Sequence, residues 1–297
     1  MHKLFQGAYD LHVHSGPDIV PRKADDPEMC RHFLEAGFQG YCIKSHYFCT
    51  AERARIMRHY FPQLNVVGAI SLNQTVGGIN AQAVDAAGRD GAKIVWFPTF
   101  DAKNEIEFTF GERCTYDRMP AWALRMKERR EKGLIDHGIT VLNENGTLTQ
   151  ETEDVMRVIA AHNMVLCTGH LSPREIFAIV RRAPQIGVKR LVITHAAWAS
   201  VGLTKEEQKA LSDLGALIEV CSSNVRAAYG STWETLYETL RYVGPQNCIL
   251  SSDAGNRAKP YPAHSLDAFA ENLLAHGFTE RELRRMAVEN TVKLIEA

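Results

Sequence analysis

Residues 9–14 read Tyr-Asp-Leu-His-Val-His, a short apolar run that ends in two histidines, His12 and His14. Side chains two apart on a strand share a face, so both imidazoles project together where such a strand would end. Seven further runs rich in Val, Ile, Leu and Tyr follow: Gly40 to Lys44, Val66 to Ile70, Lys93 to Phe97, Met164 to Thr168, Arg190 to Thr194, Ala216 to Val220 and Cys248 to Ser251. Short apolar runs with little alternation, separated by helical stretches, read as parallel strands buried on both faces.

The stretches between carry helix-start signals at Asp26-Pro27-Glu28, Thr50-Ala51-Glu52, Ser172 to Glu175, Thr204 to Glu207, Ser231 to Glu234 and Thr279 to Glu282. Several are capping boxes, in which a Ser or Thr oxygen takes an orphan N–H and an acidic residue three positions on reaches back. Gly37 and Pro62 mark stops. Repeated strand–helix units imply an α/β fold with a parallel sheet, and eight suffice to close a TIM-like (β/α)8 barrel. An open doubly wound sheet fits less well, because no G-x-G-x-x-G turn follows any strand.

A single domain over residues 1–297 is expected, with an insertion after the fourth strand at about residues 100–149. That stretch is polar and charged, then offers a helix from Pro120 to Lys132 and a hairpin signal at Asn145-Gly146. An insertion after a barrel strand lies on the face where active sites form, where it would serve as a lid. The alternative makes Ile139 to Leu142 a barrel strand, giving nine candidates for eight places.

Composition narrows the function classes. With 45% hydrophobic and 23% charged residues the chain can bury a large core, and a net charge of −1 gives no footprint for a phosphate backbone. Nucleic acid is not an expected partner. Met1 to Tyr9 lack a basic start followed by a long apolar run, and no window has the roughly 18 consecutive apolar residues of a membrane span, so a cytoplasmic protein without a membrane partner is expected. The seven cysteines form no C-x-x-C pair and read as reduced core thiols, with Cys221 set apart because it follows a strand.

Five of the twelve histidines fall at or just past strand ends: His12, His14, His46, His170 and His195. Asp253, in Leu250-Ser-Ser-Asp253, has the same position after the last strand. Imidazole and carboxylate suit a divalent metal, with zinc the default and manganese or iron the choices for an oxygen-richer shell. His2, His32, His59, His137, His162, His264 and His276 fall on helices, termini or loops and read as surface or packing residues.

From Asp10-Leu-His-Val-His14 through Thr-Gly-His170 and Thr-His195 to Ser-Ser-Asp253, and on to a closing Glu289-Asn-Thr-Val-Lys-Leu294, the chain resembles the amidohydrolase superfamily of metal-dependent hydrolases. The resemblance implies that His12 and His14 bind one metal ion and that His170 and His195 complete that site or hold a second. It gives Asp253 a place on the metal and the proton of the attacking water, with His195 beside it as a catalytic residue. A bound divalent ion makes hydroxide available near neutral pH and polarises a carbonyl. The bridging carboxylate that binuclear members carry after the fourth strand is missing from Ile94-Val-Trp-Phe-Pro98-Thr99, so one or two ions are open. Lys44 has three readings: carbamylation to supply a ligand, binding of a substrate carboxylate, or pairing with a protein carboxylate.

The polymerase and histidinol phosphatase phosphoesterases resemble part of the same pattern, including Gly40-Tyr41 through His46 and Ser252-Asp253-Ala254. They want a further histidine where Gly255 stands and a glutamate after the third strand, where Ser71-Leu-Asn73 stands. His46 and Glu144 are further metal-ligand candidates, the latter if its hairpin reaches the mouth. Arg22 reads either as a clamp for a carboxylate or phosphate or as a solvated loop arginine. Glu219 is expected to orient a histidine. Trp96, Phe97, Trp198 and Tyr229 read as core, with Trp198 also a wall for an apolar substrate.

The expected function is therefore metal-dependent hydrolysis of an amide, lactam, lactone or related carbonyl in a small molecule. Phosphoester hydrolysis, decarboxylation or hydration on the same scaffold, and metal binding without catalysis are the alternatives. Assembly as a homo-oligomer is open.

Overall fold

The eight apolar runs become β1 (Tyr9–Val13), β2 (Gly40–Ile43), β3 (Asn65–Ser71), β4 (Ala92–Trp96), β5 (Val165–Cys167), β6 (Leu191–Ile193), β7 (Leu217–Cys221) and β8 (Cys248–Ser251) in a computed structural model that describes residues 3–117, 119–134 and 138–296. The strands follow one another in sheet order and every neighbouring pair is parallel. A parallel bridge from Val13 to Ala254 brings the first strand's end against the last. This is the (β/α)8 barrel.

Both faces of the strands are apolar for a visible reason. Cys42, Ile94, Trp96, Val165 and Cys167 turn into the barrel, while Tyr41, Ile43, Val95 and Leu166 turn outward into the layer beneath the helices. That layer is supplied by α1 (Asp26–Glu35), α2 (Ala51–Tyr60), α3 (Ala81–Arg89), α6 (Gln150–Ala161), α7 (Pro173–Ile186), α8 (Lys205–Asp213), α9 (Trp233–Val243) and α10 (Pro262–Ala275). Burying side chains of this size contributes about 1.5–3 kcal/mol each, which is why tertiary packing sustains helices of this length.

Capping boxes form at Ser172, Thr204 and Thr279. Two starts differ from expectation. The box at α9 uses Thr232 with Thr235, one residue along from Ser231 and Glu234. Thr50 does not cap α2, because its hydroxyl donates to Ile43 O at 2.7 Å and accepts from Ala69 N at 2.9 Å, tying β2 to β3.

The last helix is α11 (Glu280–Arg284), a π turn (Arg285–Glu289) and α12 (Asn290–Glu296). Its Leu294 and Ile295 close the end of the barrel away from the site, and Asn290 Nδ2 donates to Cys248 O at 2.7 Å. The Glu289 to Leu294 motif is thus a plug.

Residues 97–164 join β4 to β5 and hold α4 (Lys103–Thr109), α5 (Ala121–Glu131) and the barrel helix α6. Ile139 to Leu142 do not form a barrel strand: Ile139 makes an isolated bridge to Ala102, and Leu142 pairs antiparallel with Leu148 across the Asn145-Gly146 turn. Joined among the described residues by isolated bridges and not by a ladder to the sheet, the segment leaves eight places to eight strands. α4 has no counterpart among the expected helices. Among the described residues, no helix is long and apolar enough to cross a membrane.

Candidate metal centre

At the C-terminal ends of the strands, His12, His195 and Asp253 bring ligand atoms to within 4.8 Å of one another. The register of β1 against β2 shifts between Asp10 and Val13, a stretch that contains His12, and both His12 and His14 face Asp253. His12 Nε2 lies 3.0 Å and His14 Nε2 3.3 Å from Asp253 Oδ1. His170 packs against His195 with ring centroids 4.9 Å apart. The five residues converge.

Each of three imidazoles is held from behind. His12 Nδ1 faces the Glu219 carboxylate at 3.1 and 3.2 Å, His170 Nδ1 faces Glu105 Oε2 at 2.8 Å, and His14 Nδ1 faces Lys44 O at 3.0 Å. Carboxylate and carbonyl oxygens only accept, so Nδ1 carries the hydrogen in all three rings. In the neutral ring that leaves Nε2 with a bare lone pair, the state a metal ligand needs.

Charge reinforces the arrangement. Burial works to lower the His12 pKa, yet Asp253 and Glu219 overcome it and raise the ring to about 9. Burial would lift Glu219, but the adjacent His12 holds that carboxyl down to about 2. Asp253 is likewise held well below the usual carboxylate range by His12 and His14 against the effect of burial. Burial, joined by the charge of Arg22, lowers His14 to about 3. The fully ionised carboxylates thus face imidazoles already crowded together. His195 Nδ1 is buried with no hydrogen-bond partner among the described residues. A divalent cation answers both features, giving the orphaned nitrogen a partner and the carboxylates a counter-charge.

His195 (φ +22°) and Asp253 (φ +49°) both adopt left-handed backbone, which non-glycine residues seldom do and which concentrates at functional sites. The Glu219 carboxylate helps to hold the first of these, accepting His195 N–H at 3.1 Å. Glu219 therefore supports two site residues from inside β7.

Lys44 is 1% exposed, with Nζ 2.7 Å from His12 Nε2 and 5.0 Å above the Trp96 ring. Burial lowers its pKa, while the nearby charges of Asp253 and Glu219 act to raise it. Arg22 lies beside the mouth, where Nε and Nη2 donate to Asp18 Oδ2 at 2.9 and 2.7 Å. His46 stacks on His14 with centroids 4.8 Å apart. Trp198 packs against His195 at 5.2 Å and lines a cavity of about 310 Å3 with His195, Glu219, Val220, Cys221 and Leu236.

Glu144 is a correction. It is exposed in the hairpin turn, so its side chain cannot join the buried cluster. His32, His59, His162, His264 and His276 lie outside the cluster as expected, and His2 and His137 lie outside the described residues. The seven cysteines are free thiols, five of them buried. Cys221 Sγ approaches His12 Nδ1 at 3.9 Å.

Sequence reading missed Glu105. It is fully buried on α4 and accepts from His170, Trp198, Ser200, Thr109 and Tyr116. The neighbouring Asn104 Nδ2 donates to His170 O at 3.0 Å and Ser200 O at 2.8 Å. The β4–β5 connection therefore supplies part of the site's framework through Asn104 and Glu105.

Similar architectures are known. An amidohydrolase from Pseudomonas aeruginosa superposes with a TM-score of 0.60 at 11% identity, covering 99% of this chain and 97% of that one. The probable dipeptidase PvdM from Pseudomonas aeruginosa gives 0.61 at 10%, covering 97% and 94%. An organophosphorus hydrolase from Deinococcus radiodurans gives 0.57 at 13%, covering 98% and 92%. No curated protein matches by sequence. The chain thus shares their barrel fold, and, with residues 7–219 matched by the model described as "Family of unknown function (DUF6282)", it belongs to that family.

Proposed function

We propose that this protein is a metal-dependent hydrolase that cleaves an amide, lactam, lactone or related carbonyl compound of small size. The observation that carries the reading is the convergence of His12, His195 and Asp253, with His14 and His170 adjoining and the Nδ1 atoms of His12 and His170 on buried carboxylates. The similar barrels titled amidohydrolase, dipeptidase and organophosphorus hydrolase are in keeping with it.

His12, His14, His170, His195 and Asp253 would hold the metal, with zinc the best match to a histidine-rich set and one or two ions compatible with the residues. When bound, a divalent ion supplies Lewis acidity and a source of hydroxide near neutral pH. The chain does the rest. Asp253, whose side chain is 19% exposed at the mouth, takes the proton of the attacking water on its carboxylate. As the carbon–nitrogen or carbon–oxygen bond breaks, Asp253 returns that proton to the leaving atom, so a carboxylic acid and an amine or alcohol result. Glu219 and Glu105 keep His12 and His170 in one tautomer throughout. The cavity beside Trp198 would take an apolar arm of the substrate.

Arg22 and Lys44 bring positive charge to the mouth and favour a substrate carrying a carboxylate; carbamylation of Lys44 is the competing use of that side chain. The phosphoesterase reading is disfavoured by Asn73, which fixes neighbouring loops through its own hydrogen bonds, and by Gly255, where a side chain cannot fit. Metal analysis of purified protein, followed by assay against lactones, cyclic amides and a generic phosphate ester, tests the proposal. Metal at a stoichiometry of one or two with carbonyl hydrolysis that Asp253→Asn abolishes is the expected result. Protein that takes up no zinc or manganese, or that cleaves only the phosphate ester, would overturn it.

A further inference from the structure

His46 differs from the other mouth histidines in how its Nδ1 is held. It meets the Thr99 hydroxyl at 2.9 Å instead of an obligate acceptor. The orientation of Asn73 determines the rest. Asn73 Oδ1 accepts the backbone N–H of Thr99 at 2.9 Å and of Asp101 at 3.4 Å, so its Nδ2 is the atom facing His46 O and Thr99 Oγ1, each at 2.8 Å. An amide nitrogen only donates. Thr99 Oγ1 therefore accepts from Asn73, and among the described residues the hydroxyl hydrogen has His46 Nδ1 as its acceptor. That places the ring hydrogen of His46 on Nε2, the reverse of His12, His14 and His170.

A nitrogen that carries hydrogen cannot coordinate a metal. It can donate to an oxygen. The ring is locked in this pose by Phe100, stacked at a centroid distance of 3.6 Å, and by His14 on the other side at 4.8 Å. Arg22, whose guanidinium is partly committed to Asp18, adds positive charge on the same side of the mouth.

We infer that His46 is a substrate-binding residue, not a metal ligand, and that its Nε2–H, together with Arg22, receives a carboxylate of the substrate. This deepens the hydrolase reading and rests on it for the substrate, while the tautomer stands on the hydrogen bonds alone.

The tautomer is measurable in the unsubstituted protein by long-range proton–nitrogen correlation of 15N-labelled imidazoles, with His46 assigned by the signals lost in His46→Ala. Expected is a bare Nδ1 and a protonated Nε2 for His46, with the opposite for His14 and His170; a protonated Nδ1 on His46 overturns the inference. Zinc content and acetate binding complete the test. His46→Ala and His46→Gln should retain the zinc stoichiometry of the unsubstituted protein. Acetate should bind about tenfold more weakly to the zinc-loaded Ala variant, with partial recovery in the Gln variant, whose amide restores a donor. Loss of a zinc equivalent in either variant, or acetate affinity equal in all three proteins or absent from the unsubstituted one, overturns the assignment. Should the unsubstituted protein take up no zinc, the hydrolase reading fails while the tautomer still decides this one.

Discussion

Glu105 Oε2 lies 2.8 Å from His170 Nδ1, so a residue of the β4–β5 connection orients a residue at the end of β5. Five donors converge on this one carboxylate, and three of them, His170, Ser200 and Thr109, hold it ionised against the effect of burial. Glu105→Gln replaces one acceptor oxygen with a donor facing other donors, which frees the His170 tautomer. Zinc affinity should fall about 10–100-fold, the range seen when the partner of a ligating histidine is removed. Competition with a chromogenic chelator measures it; unchanged affinity would mean that His170 is not positioned by Glu105.

A second buried carboxylate fixes the loop that leaves the paired histidines. Asp26 accepts from Arg53 at 2.7 and 2.8 Å and from Ser15 Oγ at 2.5 Å, and Arg53 also donates to Ser15 O at 3.0 Å. Arg53→Met strands that charge in the interior and should cost about 3–5 kcal/mol in urea unfolding. Adding Asp26→Leu should restore most of the loss, because the stranded charge is gone. A double variant no better than the single one would show that the pair contributes more than mutual compensation.

These two carboxylates mark the limit of what the sequence discloses. Strands buried on both faces announce themselves as continuous apolar runs, and side chains at strand ends fall at predictable places, so the barrel and the convergence of His12, His14, His170, His195 and Asp253 were legible. α4 was not. It spans seven residues, too short for helical periodicity to emerge, and its N-cap Ala102 supplies no capping side chain. The partners of Glu105 stand 65, 93 and 95 positions away at His170, Trp198 and Ser200. Such pairings arise from closure of the barrel and leave no local pattern. The tautomer of His46 is illegible for the same reason, since it depends on Asn73 and Thr99 from two other loops.

Gly255 follows Asp253 at φ +136°, and a Cβ there would lie 1.8 Å from His14 O and 2.8 Å from His14 Cβ. Neither the backbone angle nor the space admits a side chain. Gly255→Ala should therefore destabilise the fold by about 2–4 kcal/mol and push His14 away from Asp253. Thermal unfolding and zinc titration read the two effects separately. An alanine variant with unaltered melting and zinc affinity would mean that the loop relaxes freely and that Gly255 does not constrain the site.

Asp10 links stability to pH. Its Oδ1 accepts the backbone N–H of His12 at 3.2 Å and of Ser252 at 3.0 Å, while Oδ2 is buried without a partner. Burial raises its carboxyl from 3.8 to about 6, with Ser252 and His12 opposing only in part. A folded state that binds this proton more tightly than the unfolded chain gains stability that is fully present below the unfolded value and disappears as pH rises through the folded one. The loss should be on the order of 3 kcal/mol between pH 4 and 7. Asp10→Asn cannot titrate, so the difference in unfolding free energy between chelator-treated wild type and this variant isolates the group from Glu219, whose own contribution is lost only as pH falls from 4.5 towards 2. Wild-type stability should decline relative to the variant across that interval. A constant difference would show that Asp10 is already ionised well below pH 6, with Oδ2 satisfied by a partner such as ordered water.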